Sequence, residues 1–156
     1  MMTAMDTVST ANAPSTPEAE IRDLLDSYGR AVLSGDVDAI LSYYTDDIVA
    51  YDAIGDLRFH GLPAYRQHWE MCLSFMKEGP TIYEIHEAGI SASERLAFVH
   101  YLVRCGDCDQ EGRERSGWMR GTACLRREEA GWRIAHEHFS VPFDPSSEKV
   151  RFDLTP

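Results

Sequence analysis

The sequence predicts an α+β domain in which three helices precede a mostly antiparallel mixed sheet. Apolar residues recur at helical spacing in three N-terminal segments, and from residue 82 onward they form β-branched and aromatic runs between turns. No internal repeat or linker divides the chain, and 156 residues correspond to a single domain. Because a curved sheet can wrap around helices, we expect a cavity between the two layers and place the ligand site there.

Each predicted helix has recognisable ends. The three helices are expected to begin at capping residues or prolines, namely Thr16-Pro17, Asp36 and Pro63. They are expected to end at Ser34-Gly35, at Tyr44 before Thr45-Asp46-Asp47, and at Gly79-Pro80. The segment boundaries predict a disordered leader over residues 1–16, a folded domain over 17–142 and an irregular tail over 143–156.

The strands are predicted where the apolar residues no longer recur at helical spacing. A buried strand is predicted over 48–51, and the sheet continues over 82–88, 96–104, 116–127 and 132–141. In the tail, Val150, Phe152 and Leu154 alternate and could add a short edge strand. The pair Cys105 and Cys108 is expected at a hairpin tip, where a lone C-x-x-C is a chance arrangement rather than a zinc or redox site.

Composition excludes several partners. The chain has 26 acidic against 15 basic residues and a net charge of −11, which disfavours nucleic acid and acidic membrane surfaces. No apolar run approaches the roughly 20 residues of a membrane helix, and the N-terminus lacks the features of a secretory signal. We therefore expect a cytoplasmic protein with four reduced cysteines.

Asp52 is the first candidate site residue, because it directly follows the apolar strand 48–51. A carboxylate in that position is costly to bury unless it is hydrogen-bonded or has a function. One interpretation makes Asp52 a cap of the turn that contains Gly55. The other makes it a pocket carboxylate that moves a proton between carbon atoms.

A set of short motifs carries a family resemblance over about residues 17–142. The set comprises Tyr28, Ser34-Gly35-Asp36-Val37-Asp38, Tyr44-Thr45-Asp46-Asp47, Asp52-Ala53-Ile54-Gly55, His60-Gly61, Tyr65-Arg66, Trp69 and the closing segment from Gly131 to Ser140. It resembles the nuclear transport factor 2-like superfamily, and within it the ketosteroid isomerase-like and polyketide cyclase (SnoaL)-like small proteins. The resemblance implies a cone-shaped half-barrel and a homodimer formed through the outer face of the sheet.

The resemblance also implies roles for individual residues. Tyr28 falls on the oxyanion-hole tyrosine of the isomerase, and Asp52 falls on its general base with the same spacing. Tyr44 and Trp69 fall on aromatic positions that line the pocket or support that tyrosine. The second oxyanion donor of the isomerase, a protonated Asp, is replaced by Thr122, or by Ala123 in the alternative alignment, which weakens the case for steroid isomerisation.

The register of the last strand decides which side chains enter the pocket. Neighbours on a strand face opposite ways, so Glu137 shares one face with Ala135 and Phe139, while His136 and His138 share the other. The alignment turns Glu137 inward as a second pocket carboxylate; alternatively it forms an ion pair with Arg120. In the reverse register the two histidines enter the pocket and could share a metal, but no third ligand stands at a diagnostic spacing.

These observations predict a dimeric protein with an enclosed, largely apolar pocket for a small hydrophobic molecule, with no cofactor and no metal. Asp52 and Tyr28 are the candidate catalytic residues. The candidate ligand-binding residues are Tyr44, Trp69, His100, Trp118, Arg120, Thr122, Glu137, His138 and Phe139. The reaction would be an isomerisation or cyclisation by proton transfer on a carbonyl compound. The alternatives are a ligand-binding or oligomerisation module without catalysis, and a hydratase or hydrolase with paired carboxylates.

Overall fold

The computed structural model describes residues 15–76 and 79–156. Its helices are α1 (Pro17–Ser34), α2 (Val37–Leu41) and α3 (Leu62–Phe75). Its strands are β1 (Tyr44–Tyr51), β2 (Phe59–His60), β3 (Thr81–Ala92), β4 (Leu96–Cys108), β5 (Glu114–Glu128), β6 (Gly131–Ser140), β7 (Phe143–Asp144) and β8 (Lys149–Val150). The leader expected over 1–16 lies almost entirely outside the described residues.

Six strands form one curved sheet in the order β2-β1-β6-β5-β4-β3. Strands β1 and β6 are parallel, and every other neighbouring pair in this sheet is antiparallel. Register shifts interrupt the β1–β6, β3–β4 and β5–β6 ladders, and such bulges increase local twist and bend the strands. The predicted α+β class, with three helices packed on a curved mixed sheet, is confirmed.

The helix starts follow the capping residues that the sequence indicated. The Thr16 hydroxyl accepts a hydrogen bond from the Ala19 amide at the start of α1, and the Asp36 carboxylate accepts from two amides at the start of α2. Gly35 ends α1 in the left-handed conformation, with φ of 69°. The stripe of α1 that includes Ile21, Leu25 and Tyr28 is buried against the sheet.

The boundary between α2 and the sheet differs from the prediction. Helix α2 ends at Leu41, and Tyr44 already belongs to β1, where it lies beside Ile134 of β6. The spacing from Val37 to Tyr44 suits a helical face, so the sequence pattern alone extended the helix too far. The amide of Ile134 donates to the carbonyl of Tyr43, and this pairing with a distant strand decides the boundary.

Two further segments also differ from expectation. Strand β4 continues through Cys108, which lies beside Glu114, so the C-x-x-C pair is inside a strand and not at a hairpin tip. Extended pairing with β5 satisfies the backbone there, which a loop would leave to solvent. In the tail, Phe143 and Asp144 pair with Lys149 and Val150 as a separate two-stranded hairpin rather than an added edge strand. No helix in the described parts of the chain is long and apolar enough to cross a membrane.

Candidate functional site

A β-bulge in β6 decides which of its side chains face the helices. In the ladder with β5, Ile134 lies beside Leu125 and His136 lies beside Cys124, so Ala135 is the extra residue. Ile134 and Glu137 are consequently both buried on the inner face, although an uninterrupted strand would place them on opposite faces. The inward orientation expected for Glu137 is found, whereas Ala135, expected beside it, lines a groove on the outer face.

Glu137 is fully buried and is bound by tyrosines from two other elements. Its Oε1 accepts hydrogen bonds from the hydroxyl groups of Tyr44 (2.8 Å) and Tyr65. Because the Tyr44 proton is donated to Glu137, the Tyr28 hydroxyl donates to Tyr44 across 2.6 Å. We call Glu137, Tyr28, Tyr44 and Tyr65 the tyrosine–glutamate cluster.

Burial sets the protonation of this cluster. Removal from water raises the pKa of Glu137 to about 7, even though the hydrogen bonds from Tyr65 and Tyr44 favour the carboxylate. Burial also raises the pKa of all three cluster tyrosines well above 10, so they remain neutral donors. The second oxygen of Glu137, Oε2, is buried and has no hydrogen-bond partner among the described residues.

Asp52 lies at the end of β1 with both carboxylate oxygens engaged. Oδ1 accepts from the Ile54 amide at 3.2 Å, and Oδ2 lies 2.9 Å from Nε2 of His68. The first contact is the turn cap of the simpler interpretation, and the second ties the carboxylate to α3. The two interpretations of Asp52 are therefore compatible, since one carboxylate can cap the turn and face the interior.

His68 is buried between aromatic rings, with the Phe59 ring stacked on it at a centroid distance of 4.1 Å. Burial lowers the pKa of the imidazole, but hydrogen bonds with Asp52 and with the Cys72 thiol outweigh this effect and raise it to about 9. These contacts favour the imidazolium, whose Nε2 donates a charge-assisted hydrogen bond to Asp52, while its Nδ1 is buried without a hydrogen-bond partner among the described residues.

Asp52 borders a cavity of about 230 Å³ between α3 and the inner face of the sheet. Its apolar walls include Val32, Ile54, Phe75, Ile82, Met119 and Phe139. Asp52 is the one ionisable carboxyl group among its described lining residues. An apolar cavity with few polar groups is the usual form of a small-molecule site.

Two further polar groups on the cavity wall have unmet hydrogen-bonding capacity. The indole nitrogen of Trp69 has no hydrogen-bond partner within the described parts of the chain. The Tyr83 hydroxyl is close enough to Tyr28 to affect its pKa, yet makes no hydrogen bond of ordinary geometry. Both side chains are more than nine-tenths buried. Unpaired buried donors are costly, so a bound acceptor oxygen would stabilise them.

The structure separates the predicted site residues into three groups. Asp52, Trp69 and Phe139 line the cavity. Tyr28, Tyr44 and Glu137 lie together in the tyrosine–glutamate cluster and are not among the lining residues. The remaining five, which were expected in the pocket, project from the outer face of the sheet: His100, Trp118, Arg120, Thr122 and His138.

The side chains of β5 alternate between the two faces of the sheet, which explains why Trp118, Arg120 and Thr122 lie on the outer face. Met119 and Ala123 face inward, so Thr122 is exposed and does not stand at the place of a second oxyanion donor. Ala123, the alternative in the alignment, takes the inward place and has no side-chain donor. Arg120 is also exposed and donates to the Ser140 hydroxyl at 3.1 Å, so the alternative ion pair with Glu137 is not formed.

Two residues near Asp52, His68 and Tyr83, were missed in the sequence. His68 was not among the candidate site residues, but adjacent positions on a helix are only about 100° apart, and His68 is buried beside Trp69. The signal was the spacing of Tyr65, His68 and Trp69, which places all three on one helix face. Tyr83 gave no comparable signal, because it is one of several aromatic residues in strands.

The chain matches the SnoaL-like domain family over residues 21–144. It belongs to the SnoaL-like domain family. No curated protein sequence matches it at a significant level.

Solved structures agree with this family membership. A nuclear transport factor 2-like protein of unknown function from Pseudomonas putida KT2440 is 42% identical, with 89% of this chain and 96% of that chain covered and a TM-score of 0.81. A ketosteroid isomerase-like protein from Erwinia carotovora atroseptica SCRI1043 is 22% identical, with 78% and 93% covered and a TM-score of 0.62. A protein with a cystatin-like fold from Novosphingobium aromaticivorans is 19% identical, with 84% and 85% covered and a TM-score of 0.72. The predicted resemblance to this superfamily is confirmed.

Proposed function

We propose that this SnoaL-like protein is a cofactor-independent enzyme that transfers a proton on a small hydrophobic carbonyl compound. The observation that carries the proposal is the Asp52 carboxylate on the wall of an apolar cavity, held by His68 at 2.9 Å. A carboxylate positioned beside a C–H bond next to a carbonyl group can remove the proton and return it to another carbon. The outcome would be an isomerisation, or a cyclisation if the carbanion instead adds to a second carbonyl carbon of the same substrate and the proton is delivered to the resulting alkoxide oxygen.

Such a reaction needs a donor for the negative charge that develops on the carbonyl oxygen. Trp69 and Tyr83 are the candidates, because the Trp69 indole nitrogen has no hydrogen-bond partner among the described residues, and the Tyr83 hydroxyl is buried on the same cavity wall beside that of Tyr28. Tyr28, which the family resemblance suggested for this role, is instead committed to Tyr44. We therefore assign the oxyanion role to Tyr83 with Trp69, and the base role to Asp52.

The size and lining of the cavity favour a compact, uncharged substrate. A volume of about 230 Å³ is below the roughly 300–1,000 Å³ of sites for drug-sized ligands. No lysine or arginine is among the described lining residues, and His68 is already paired with Asp52, so an anionic substrate would find no free cation on this wall. Small cyclic enones and β-dicarbonyl compounds fit these limits.

The alternatives make different demands on the same cavity. A hydratase or hydrolase with paired carboxylates needs a second acid on the wall, and Glu137 is not among the lining residues. A ligand-binding module needs the cavity but not the basicity of Asp52. Substituting Asp52 with its neutral isostere separates catalysis from binding, because Asn keeps the shape and an acceptor oxygen.

The test is hydrogen–deuterium exchange at the sp³ carbons C6 and C4 of 2-cyclohexenone in D₂O, followed by proton NMR. The wild-type protein should accelerate exchange roughly 10²-fold or more over Asp52→Asn, as expected for a positioned general base. Thr122→Ala is the matched control, because its side chain is exposed on the outer face, and it should exchange like wild type. Equal exchange rates in wild type and Asp52→Asn, with the probe bound by both, would leave only the binding module.

We also propose that two copies associate through the outer face of the sheet. Leu96 and Phe98 are 63% and 49% exposed there, beside a groove that Cys124 and Ala135 line. Large apolar side chains next to each other on an open face indicate an interaction surface. Sedimentation of the wild-type protein should report a dimer.

A further inference from the structure

Glu137 is the strongest feature that the proposed reaction leaves unused. Its side chain is completely buried, and it links β6 to two other elements through Tyr44 of β1 and Tyr65 of α3. A buried carboxyl group is costly to maintain, since an apolar side chain would fill the same space without a desolvation penalty. Structural support for three elements does not by itself require an acid there.

Its surroundings contain many acidic groups and a single cation. The ionisable groups that act on Glu137 come from α1, β1, the segment after β1, α3, β3 and β4, and are Tyr28, Tyr44, Asp52, Tyr65, His68, Tyr83 and Tyr101. Of these, His68 alone can carry positive charge. Two carboxyl groups, Asp52 and Glu137, therefore share one buried imidazolium as their counter-ion.

Tyr65 connects the two parts of this arrangement. Its hydroxyl donates to Glu137 Oε1, and its ring lies parallel to that of His68, with centroids 5.7 Å apart and an interplanar angle of 8°. Glu137 thereby holds the turn of α3 that carries His68, and a protonated His68 in turn favours the charged form of Glu137. His68 in turn donates to Asp52.

We propose that Glu137 is a positioning residue that acts through His68: it fixes α3 by way of Tyr65, and its negative charge keeps His68 protonated and bound to Asp52. With Glu137 neutral, the imidazolium has one buried counter-ion instead of two. His68 then loses its proton at lower pH, and the charge-assisted bond that orients Asp52 is lost with it. The consequence for catalysis rests on the proposed function, but the effect on His68 does not.

The test is a ¹⁵N NMR titration of the His68 ring in wild type and in Glu137→Gln. Gln keeps an acceptor for the two tyrosine hydroxyl groups, so the fold should persist while the charge is removed. We expect the pKa of His68 to fall from about 9 by about one unit, a tenfold loss in the ratio of imidazolium to imidazole at a given pH. Glu129→Gln, which removes one charge from an exposed turn, is the matched control and should leave the titration unchanged.

A folded Glu137→Gln variant whose His68 titrates as in wild type would overturn the proposal, because a structural role alone predicts no change in that midpoint. A second measurement needs no variant. In the wild-type protein the Glu137 carboxyl, followed by ¹³C NMR, should titrate near pH 7, with a matching step in the ¹⁵N shift of His68. A Glu137 titration without that step would also overturn it.

The failure of this proposal can be distinguished from a failure of the proposed function. The titrations of His68 and Glu137 use no substrate, whereas the exchange assay depends on Asp52 and a bound enone. An altered His68 midpoint in Glu137→Gln together with equal exchange in wild type and Asp52→Asn would reject the enzyme and keep the positioning role. The reverse pair of results would reject only the role of Glu137.

Discussion

Raising the pH from 6 to 10 should destabilise this protein through a single buried histidine. His68 has a pKa of about 9 in the folded chain and about 6.5 in the unfolded chain. Between these values the native state holds a proton that the unfolded state has released, so stability falls as the pH rises. The contribution is fully present below pH 6.5 and is lost once the pH has passed about 9.

The magnitude follows from the difference between the two pKa values. A shift from 6.5 to about 9, at roughly 1.4 kcal/mol per pKa unit, corresponds to about 3 kcal/mol of unfolding free energy. The side chain of His68 is only 1% exposed, so solvent screens the contact with Asp52 weakly. Domains of this kind have total stabilities of roughly 5–15 kcal/mol, so a loss of this size is easily measured.

Urea denaturation at pH 6, 7, 8, 9 and 10 measures the effect, with His68→Gln as the comparison. Other groups titrate nearby, because burial also raises the pKa of Glu137 to about 7 and of Cys105 to about 11. These groups remain in the variant, so the difference between the two pH profiles reports the titration of His68 together with its coupling to Glu137. Wild type should lose about 3 kcal/mol more than His68→Gln between pH 6 and 10. Parallel profiles, or a wild-type stability that rises with pH, would refute the link between His68 and Asp52.

Five further substitutions test other parts of the structure. Tyr28→Phe should lower the free energy of unfolding, measured in urea, by about 1 kcal/mol, because Tyr44 loses a hydrogen-bond donor. It should leave the exchange of 2-cyclohexenone unchanged, since Tyr28 does not line the cavity. A large loss of exchange would restore Tyr28 as the oxyanion donor. Trp69→Phe should barely alter stability, because the indole nitrogen has no partner, yet should slow exchange several-fold; unchanged exchange would remove Trp69 from the site. Gly121→Ala should destabilise the protein by about 1–3 kcal/mol, because the added methyl group would stand 2.5 Å from the Tyr101 ring. Gly29→Ala on helix α1 meets no atom within 4 Å and should stabilise the protein by about 0.5–1 kcal/mol. Similar shifts in melting temperature for both variants would contradict this packing. Phe98→Glu should convert a dimer to monomers in sedimentation experiments, and a dimer that persists would place the interface elsewhere.

Local sequence signals were sufficient for the framework of the fold. Thr16, Asp36 and Gly35 act on backbone groups within four residues of themselves, so their positions mark the helix ends without knowledge of the rest of the chain. The strands could also be located from local signals, namely short runs of β-branched and aromatic residues. Asp52 could be singled out for a comparable reason, since an acid after a buried strand is unusual wherever that strand lies.

The face of the sheet to which each strand side chain points could not be predicted as reliably. One residue of register moves a side chain to the opposite face of a sheet, so Thr122 and Ala123 exchange places with a small change in alignment. The bulge at Ala135 depends on hydrogen bonds to β5, which the sequence of β6 alone does not specify. For this reason His100, Arg120 and His138 were expected in the cavity but lie on the outer face of the sheet.

The sequence by itself therefore determined the starts of the first two helices, the positions of the main strands along the chain, the family and the carboxylate at Asp52, because each depends on local propensity, capping or a recognisable motif. Only the tertiary structure brought Asp52 to His68, and Glu137 to Tyr44 and Tyr65. These contacts join residues from different elements, some of them more than 70 positions apart, and they form only when the curved sheet closes over the helices. The electrostatics of the site arises from that burial, since the same groups in an unfolded chain would titrate at their ordinary pKa values.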